Sequence, residues 1–67
     1  MKLLAWLTTE GPVLINPLSI HGIVEVPCTD PITCRVYHDM APRGWYDVHA
    51  HLDTLRTSWE AALGDGP

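Results

Sequence analysis

Short apolar segments separated by turn-forming residues make up the first three-quarters of the chain. Some alternate apolar and polar side chains and others are rich in β-branched residues, and both patterns are typical of β-strands. The pattern predicts four or five short strands, drawn from residues 3–7 (LLAWL), 12–15 (PVLI), 20–26 (IHGIVEV), 34–38 (CRVYH) and 45–49 (WYDVH). The turn-like TTEG at residues 8–11 joins the first two, so these should form a hairpin.

The period of the pattern changes after His51. From there apolar residues recur every three or four positions, which places them on one face of a helix. They are Leu52, Leu55, Trp59, Ala62 and Leu63. Asp53 lies in the first turn, where a carboxylate suits the helix dipole, and Gly64 is typical of the position just past a helix end. We therefore predict an α+β protein, in which one C-terminal amphipathic helix lies across a small, mostly antiparallel β-sheet.

The 67 residues of the chain suffice for a single small domain, which we place at residues 1–64, with 65–67 as a frayed tail. A domain of this size buries only about 60% of the surface of its unfolded chain. Its stability should be marginal unless a disulfide, a metal or association with other chains adds to it. A homo-oligomer is expected on this ground.

The charge balance of the chain is acidic, with a formal net charge of −4. Its four basic residues are scattered along the sequence, at Lys2, Arg35, Arg43 and Arg56. Nucleic-acid binding depends on several basic side chains that neutralise phosphates, so no nucleic-acid partner is expected. The apolar run 3–7 is shorter than that of a signal peptide, and no stretch approaches the ~20 apolar residues of a membrane span. We expect a cytoplasmic protein without a membrane partner.

Two pieces of the chain, LTTEGPVLINPLSIHGIVEVPCTDPITCRVY and GWYDVHAHLDTL, carry a family resemblance. A hydrophobic strand, a turn and an apolar-x-apolar-Asn-Pro step precede further strands and a Tyr-x-Val that leads into a helix. In this order the chain resembles the FlbD-like small flagellar and swarming-motility proteins, which also occur in phages and prophages. The resemblance covers residues 4–56 and implies the same small fold. It also implies an accessory protein without chemistry of its own, and it carries over no catalytic residue.

The segment WYDVHAHLD looks like the first-strand metal signature of the amidohydrolases, in which two histidines hold a catalytic zinc. That fold is a barrel of on the order of 200 residues or more, so the chain is too short to form it. In an extended strand, Asp47, His49 and His51 would share one face, and this less apolar face should point to solvent. We interpret them as surface residues at a strand-to-helix junction. The most specific metal alternative is a zinc site formed by Cys28, Cys34, His49 and His51.

The two cysteines, Cys28 and Cys34, flank a turn and could lie opposite each other across a hairpin, at a separation that permits a disulfide. In a reducing cytoplasm we expect two reduced thiols that act as small, partly buried apolar side chains. The sequence has no Gly-rich phosphate loop, and nothing in it positions Cys34 or Ser58 beside a histidine as a nucleophile with its base. Neither enzyme activity nor a cofactor is expected.

The segment between the fourth and fifth strands carries residue types that are enriched at the centres of protein interfaces. Strand alternation directs Trp45 and Tyr46 to opposite faces, whereas Trp6 and Trp59 are expected in the core. The candidate partner-binding residues are Met40, Arg43, Trp45 and Tyr46. A second candidate surface is the outer edge of strand 3–7 or 12–15, where main-chain groups could pair with another subunit.

These observations predict a non-enzymatic binding or adaptor module. It would be a homo-oligomer, encoded by a phage or mobile element, that docks on a host protein and modulates it. One alternative is a nucleotide-sequestering protein that binds phosphate through Arg35, Arg43 and His49 at a subunit interface. The other alternative is a small zinc-binding domain with the four ligands given above.

Overall fold

The computed structural model describes residues 2–64 and contains five strands and one α-helix. The elements are β1 (Leu4–Thr8), β2 (Gly11–Ile15), a single 3₁₀ turn (Pro17–Ser19), β3 (Ile20–Val26), β4 (Thr33–His38), β5 (Trp45–Val48) and α1 (Leu52–Gly64). The predicted α+β architecture with a C-terminal helix is confirmed, and the predicted bounds of β3 match those observed. The proposed frayed tail, 65–67, lies outside the described residues.

The strands form two antiparallel sheets, β1–β2 and β3–β4–β5. The sheets adjoin where β1 runs beside β5, and the Thr9 amide donates to the Asp47 carbonyl at 2.9 Å. The β3–β4 pairing shifts register between Ile20 and Gly22, which is a bulge-like irregularity in the edge strand of this sheet. The sequence pattern predicted the strands but not their division between two sheets.

The β1–β2 hairpin closes through a turn that the TTEG segment predicts. The Thr8 hydroxyl donates to the Gly11 carbonyl at 2.8 Å and accepts from the Glu10 amide at 3.1 Å. Gly11 has a φ of 111°, in the region that favours glycine. Three residues therefore specify the turn and fix the pairing of Leu4 with Ile15 at the open end.

The core lies between the inner faces of the sheets and α1. Ile15 and Val36 are completely buried, and Leu55 supplies the helix contribution. Trp6 and Trp59 are partly buried and pack against this core, as the sequence predicts. The Trp59 indole also donates to the carbonyl of Pro17 at 2.8 Å, and this hydrogen bond ties the helix to the 3₁₀ turn. The 13-residue α1 falls short of the ~20 residues that cross a bilayer, and no helix within 2–64 has the length and hydrophobicity of a membrane span.

The last strand ends one residue earlier than the alternation predicts, at Val48. The Ala50 amide donates to the Val48 carbonyl at 3.0 Å, and the Leu55 amide donates to the His51 carbonyl at 3.2 Å as the helix begins. The extended alternation does not reach His51. Residues 49–51 are instead the junction between strand and helix.

The two cysteines occupy unlike environments, and both are free thiols. Cys34 is fully buried and pairs across the sheet with Glu25, so it does not face Cys28. Cys28 lies in the β3–β4 turn, is exposed and has a φ of 61°. The expectation that both thiols are partly buried is wrong for Cys28, and the possible cross-strand arrangement does not form, because the turn places Cys28 beyond the last paired residue, Val26.

Candidate functional site

The outward side of β4 and β5 carries pairs of polar and aromatic residues. The register of the two strands sets Arg35 opposite Asp47 and Tyr37 opposite Trp45. The alternate residues of the same strands, Cys34, Val36 and Val48, are buried in the core. Because strand side chains alternate between faces, the first set points away from the core.

The Arg35–Asp47 pair has the two-point geometry that guanidinium and carboxylate groups favour. Arg35 Nε donates to Asp47 Oδ1 at 3.0 Å, and Arg35 Nη2 donates to Oδ2 at 3.4 Å. Both side chains are partly shielded, with 32% and 22% of their surface exposed. The hydrogen bond to Asp47 is the main reason that the pKa of the Arg35 guanidinium is raised above its ordinary value. The two-point contact therefore fixes the plane of the guanidinium.

Two guanidinium groups lie over the indole of Trp45. The Arg35 Cζ atom is 3.8 Å from the ring centroid, and the Arg43 Cζ atom is 5.5 Å from it. Both distances are within the range of a cation–π contact. Within residues 2–64, no carboxylate lies at ion-pair distance from Arg43, in contrast to Arg35. Arg43 therefore supplies an uncompensated positive charge beside the indole.

The loop that follows β4 is held by hydrogen bonds centred on His38. The His38 amide donates to the Gly44 carbonyl at 3.0 Å, and the Ala41 amide donates to the His38 carbonyl at 3.2 Å. His38 Nδ1 accepts from the Met40 amide at 3.1 Å. The His38 ring is buried, and its Nε2 has no hydrogen-bond partner among the described residues. This network anchors the loop, which leaves the Met40 side chain 78% exposed.

Three of the four predicted partner-binding residues lie on or beside this surface, and one lies elsewhere. Trp45 is on the outward face, and Met40 and Arg43 are in the adjoining loop. Tyr46 lies on the opposite face and packs against the core, with its ring beside that of His38. We define the outer patch as Arg35, Tyr37, Met40, Arg43, Trp45 and Asp47.

The phosphate-binding alternative depends on Arg35, Arg43 and His49, and two of these already have partners. Arg35 is paired with Asp47, and His49 Nδ1 lies 2.9 Å from the Thr33 hydroxyl oxygen. Phosphate binding would have to compete with both contacts. Arg43 is the member of this set that keeps its charge available.

The four residues of the zinc alternative are not brought together. Cys28 is exposed in its turn, whereas the Cys34 thiol is buried and donates to the Ala50 carbonyl at 3.2 Å. His51 is exposed at the start of the helix. No group of three or more potential metal ligands forms within residues 2–64. The early end of β5 is the physical reason, because it turns His49 and His51 out of a common strand face.

Sequence reasoning missed Tyr37 and Asp47 as members of the outer patch. Tyr37 lies two residues after Arg35, and Asp47 lies two residues after Trp45. Residues two apart in a strand share a face, so the sequence predicts a common face within each strand. Their pairing across strands depends on the register. The alternation alone does not fix that register, because a six-residue loop separates the strands.

An open groove of about 360 Å³ lies elsewhere, between the N-terminal residues and α1. It is lined by Lys2, Leu3, Leu4, Ser58, Ala61 and Ala62. None of the four predicted partner-binding residues lines this groove, but Leu3 and Leu4 belong to strand 3–7, the second candidate surface.

Comparison of the chain with protein-family models, with characterised proteins and with solved structures found no match. The FlbD-like resemblance stays a prediction from the sequence.

Proposed function

We propose that the chain is a non-enzymatic binding module that docks on another protein through the outer patch. The carrying observation is the Trp45 indole held beneath two guanidinium groups on a face directed away from the core. Tryptophan, tyrosine and arginine dominate the residues whose truncation weakens protein complexes most. The ion pair with Asp47 already holds Arg35 in place over the Trp45 indole before a partner binds. Less side-chain conformational entropy is therefore lost on association.

The chemistry of the outer patch favours a partner with an acidic, partly apolar surface. Arg43 carries a positive charge without a matching carboxylate in the described part of the chain, and Met40 adds an adaptable apolar side chain. A partner carboxylate beside Arg43 would complement this charge. The chain as a whole carries a net negative charge, so the positive charge of Arg43 at the docking contact would be opposite in sign to that of the whole chain.

The setting that we propose is the cytoplasm of a bacterial host, where the module acts as a homo-oligomer and modulates a host protein. A phage or mobile element would encode it. The FlbD-like resemblance, with its phage and prophage members, supports this origin, and the small size of the chain supports association with other chains.

The test of docking uses tagged chain to capture its partner from the host, followed by titration calorimetry with the purified partner. Trp45→Ala and Arg43→Ala should each raise the dissociation constant by about 30-fold or more, as expected of central interface residues. Arg56→Ala is the matched control, since this arginine is 61% exposed on α1, away from the patch. Unchanged affinity in both patch variants would remove the outer patch as the docking site.

Docking and phosphate binding make different predictions. Nucleotide added in large excess over its dissociation constant would raise the unfolding temperature of a nucleotide-binding chain. We expect the unfolding temperature to stay unchanged, because the Arg35 guanidinium is already paired with Asp47 and His49 is already in contact with Thr33. A clear thermal shift that disappears in Arg43→Ala would favour the phosphate-binding function instead.

A further inference from the structure

The outward face of the β1–β2 hairpin is apolar along its whole length. The register pairs Ala5 with Leu14 and Leu7 with Pro12 on this face, and Leu3 continues the alternation just before the strand. Leu3, Leu7 and Leu14 are 58%, 72% and 70% exposed. These five residues are called the hairpin face.

The opposite side of the same two strands is also apolar. Leu4, Trp6 and Ile15 point inward and belong to the core or pack against it. Strands that are apolar on both sides are typical of sheets that are covered on both sides. The single chain covers only the inner side of this hairpin. The sequence pattern therefore predicts that another protein surface covers the outer side.

We propose that the hairpin face is the interface of a symmetric dimer, in which two copies of the chain pack hairpin against hairpin. This inference rests on the homo-oligomer in the proposed function and specifies the surface that forms it. It does not involve the outer patch, which stays available to a different partner.

The absence of charge on the hairpin face allows a second copy to be its occupant. The chain carries a net charge of −4, so two copies would repel each other if charged surfaces met. Within residues 3–15 the one charged side chain is Glu10, which lies in the turn at the end of the hairpin. Two hairpin faces can therefore meet without burying a charge or opposing like charges. In a two-fold contact the same patch serves both partners, and a flat uncharged face meets this requirement.

The area of the face is consistent with a dimer of modest stability. Three leucines exposed to about two-thirds, with Ala5 and Pro12, offer on the order of 450 Å² per copy, within the ~300–600 Å² of the largest apolar patch on a typical monomer, which is often functional. Two copies would bury about 900 Å², slightly below the ~1,000 Å² that a stable specific interface exceeds, which corresponds to a weak dimer. The groove beside α1 extends the area, because Leu3 belongs to the hairpin face and lines the groove as well.

The test is sedimentation equilibrium of the whole chain over a wide concentration range. The wild-type chain should approach twice its mass of 7.5 kDa. Leu7→Asp and Leu14→Asp should each raise the dimer dissociation constant at least about 100-fold, because symmetry places every new carboxylate in the interface twice. Met40→Asp is the matched control, since this side chain is at least as exposed but lies in the outer patch.

A second pair of variants guards against misfolding of the aspartate variants. Leu7→Thr and Leu14→Thr keep a residue suited to a strand but remove apolar area, and they should also weaken the dimer by more than tenfold while the circular dichroism spectrum stays native. A wild-type chain that stays monomeric at every concentration overturns the proposal, as does a dimer that folded Leu7 and Leu14 variants leave unchanged. Loss of partner docking in Trp45→Ala with an intact dimer would bear on the outer patch alone.

Discussion

Asp47 links three parts of the molecule through a single residue. Its carboxylate accepts two hydrogen bonds from Arg35, and its main-chain carbonyl accepts from the amide of Thr9 in the hairpin turn. The two-point contact requires the fork of an arginine, since a lysine ammonium acts as a point charge and could not hold a plane over Trp45. The position of the indole therefore depends on the identity of both charged residues.

Because of Cys34, the stability of the fold should decrease at alkaline pH. Burial raises the pKa of its thiol above the ordinary value of 9.0, and the charge of Glu25 raises it further. The unfolded chain therefore releases this proton at a lower pH than the folded chain does. The free energy of unfolding should be unaffected by this group below about pH 9. It should then fall, by up to ~1.4 kcal/mol per pH unit, as the pH rises towards the folded pKa.

Urea unfolding at pH 7, 9 and 10.5 would measure this effect in a Cys28→Ser background, which removes the exposed thiol. The matched variant adds Cys34→Ala. The stability difference between the two proteins should shrink above pH 9, since the alanine protein lacks the titrating group. A difference that stays constant across the three pH values would contradict the assignment.

At the scale of elements, the β4–β5 loop depends on a backbone conformation that favours glycine. Gly44 has a φ of 87°, its amide donates to the Ala41 carbonyl at 2.9 Å, and its carbonyl accepts from His38. The loop conformation in turn sets the register that places Tyr37 opposite Trp45. A side chain at position 44 would thus act on the outer patch through the backbone.

Gly44→Ala should lower the free energy of unfolding by about 1 kcal/mol or more, because alanine is strained at this φ. Steric contact does not contribute, since an added Cβ would meet nothing within 4 Å. Gly22→Ala is the control: its added Cβ is equally unobstructed, but its φ is not in the left-handed region. Chemical denaturation of both variants provides the comparison, and equal losses would refute the backbone explanation.

At the scale of the whole molecule, a few fully buried side chains contribute much of the stability of the core. Stability of roughly 0.05–0.15 kcal/mol per residue corresponds to about 3–10 kcal/mol for a chain of this length. Ile15 and Val36 are fully buried between the sheets and the helix. A single truncation in this core therefore removes a large fraction of the total.

Ile15→Ala is expected to cost about 2–5 kcal/mol, from lost burial and the cavity that remains. Leu18→Ala, at a leucine that is 68% exposed in the 3₁₀ turn, should change stability by no more than about 0.5 kcal/mol. Thermal unfolding followed by circular dichroism would compare the two variants at one chain concentration. Similar midpoints for both would show that the core is not organised around Ile15.

The parts of the fold that local pattern determines were predictable from the sequence. Alternation around Trp45 and the three-to-four spacing from Leu52 onward each depend on neighbouring residues, and both elements formed, with the strand one residue shorter than predicted. The Arg35–Asp47 pair depends on the register between two strands, and no local signal encodes that register. The same limit explains why the sequence left it open whether Cys28 lies opposite Cys34, since the length of the turn decides which residues still pair.

The register shift in β3 has a consequence for how far self-association can proceed. A flat, seven-residue edge strand rich in β-branched residues could recruit further copies through its unpaired main-chain groups. The irregularity between Ile20 and Gly22 interrupts that row, and the exposed Glu25 places a charge along it. Open-ended growth into fibrils is therefore disfavoured at this edge, and the proposed dimer through the hairpin face would remain a closed pair.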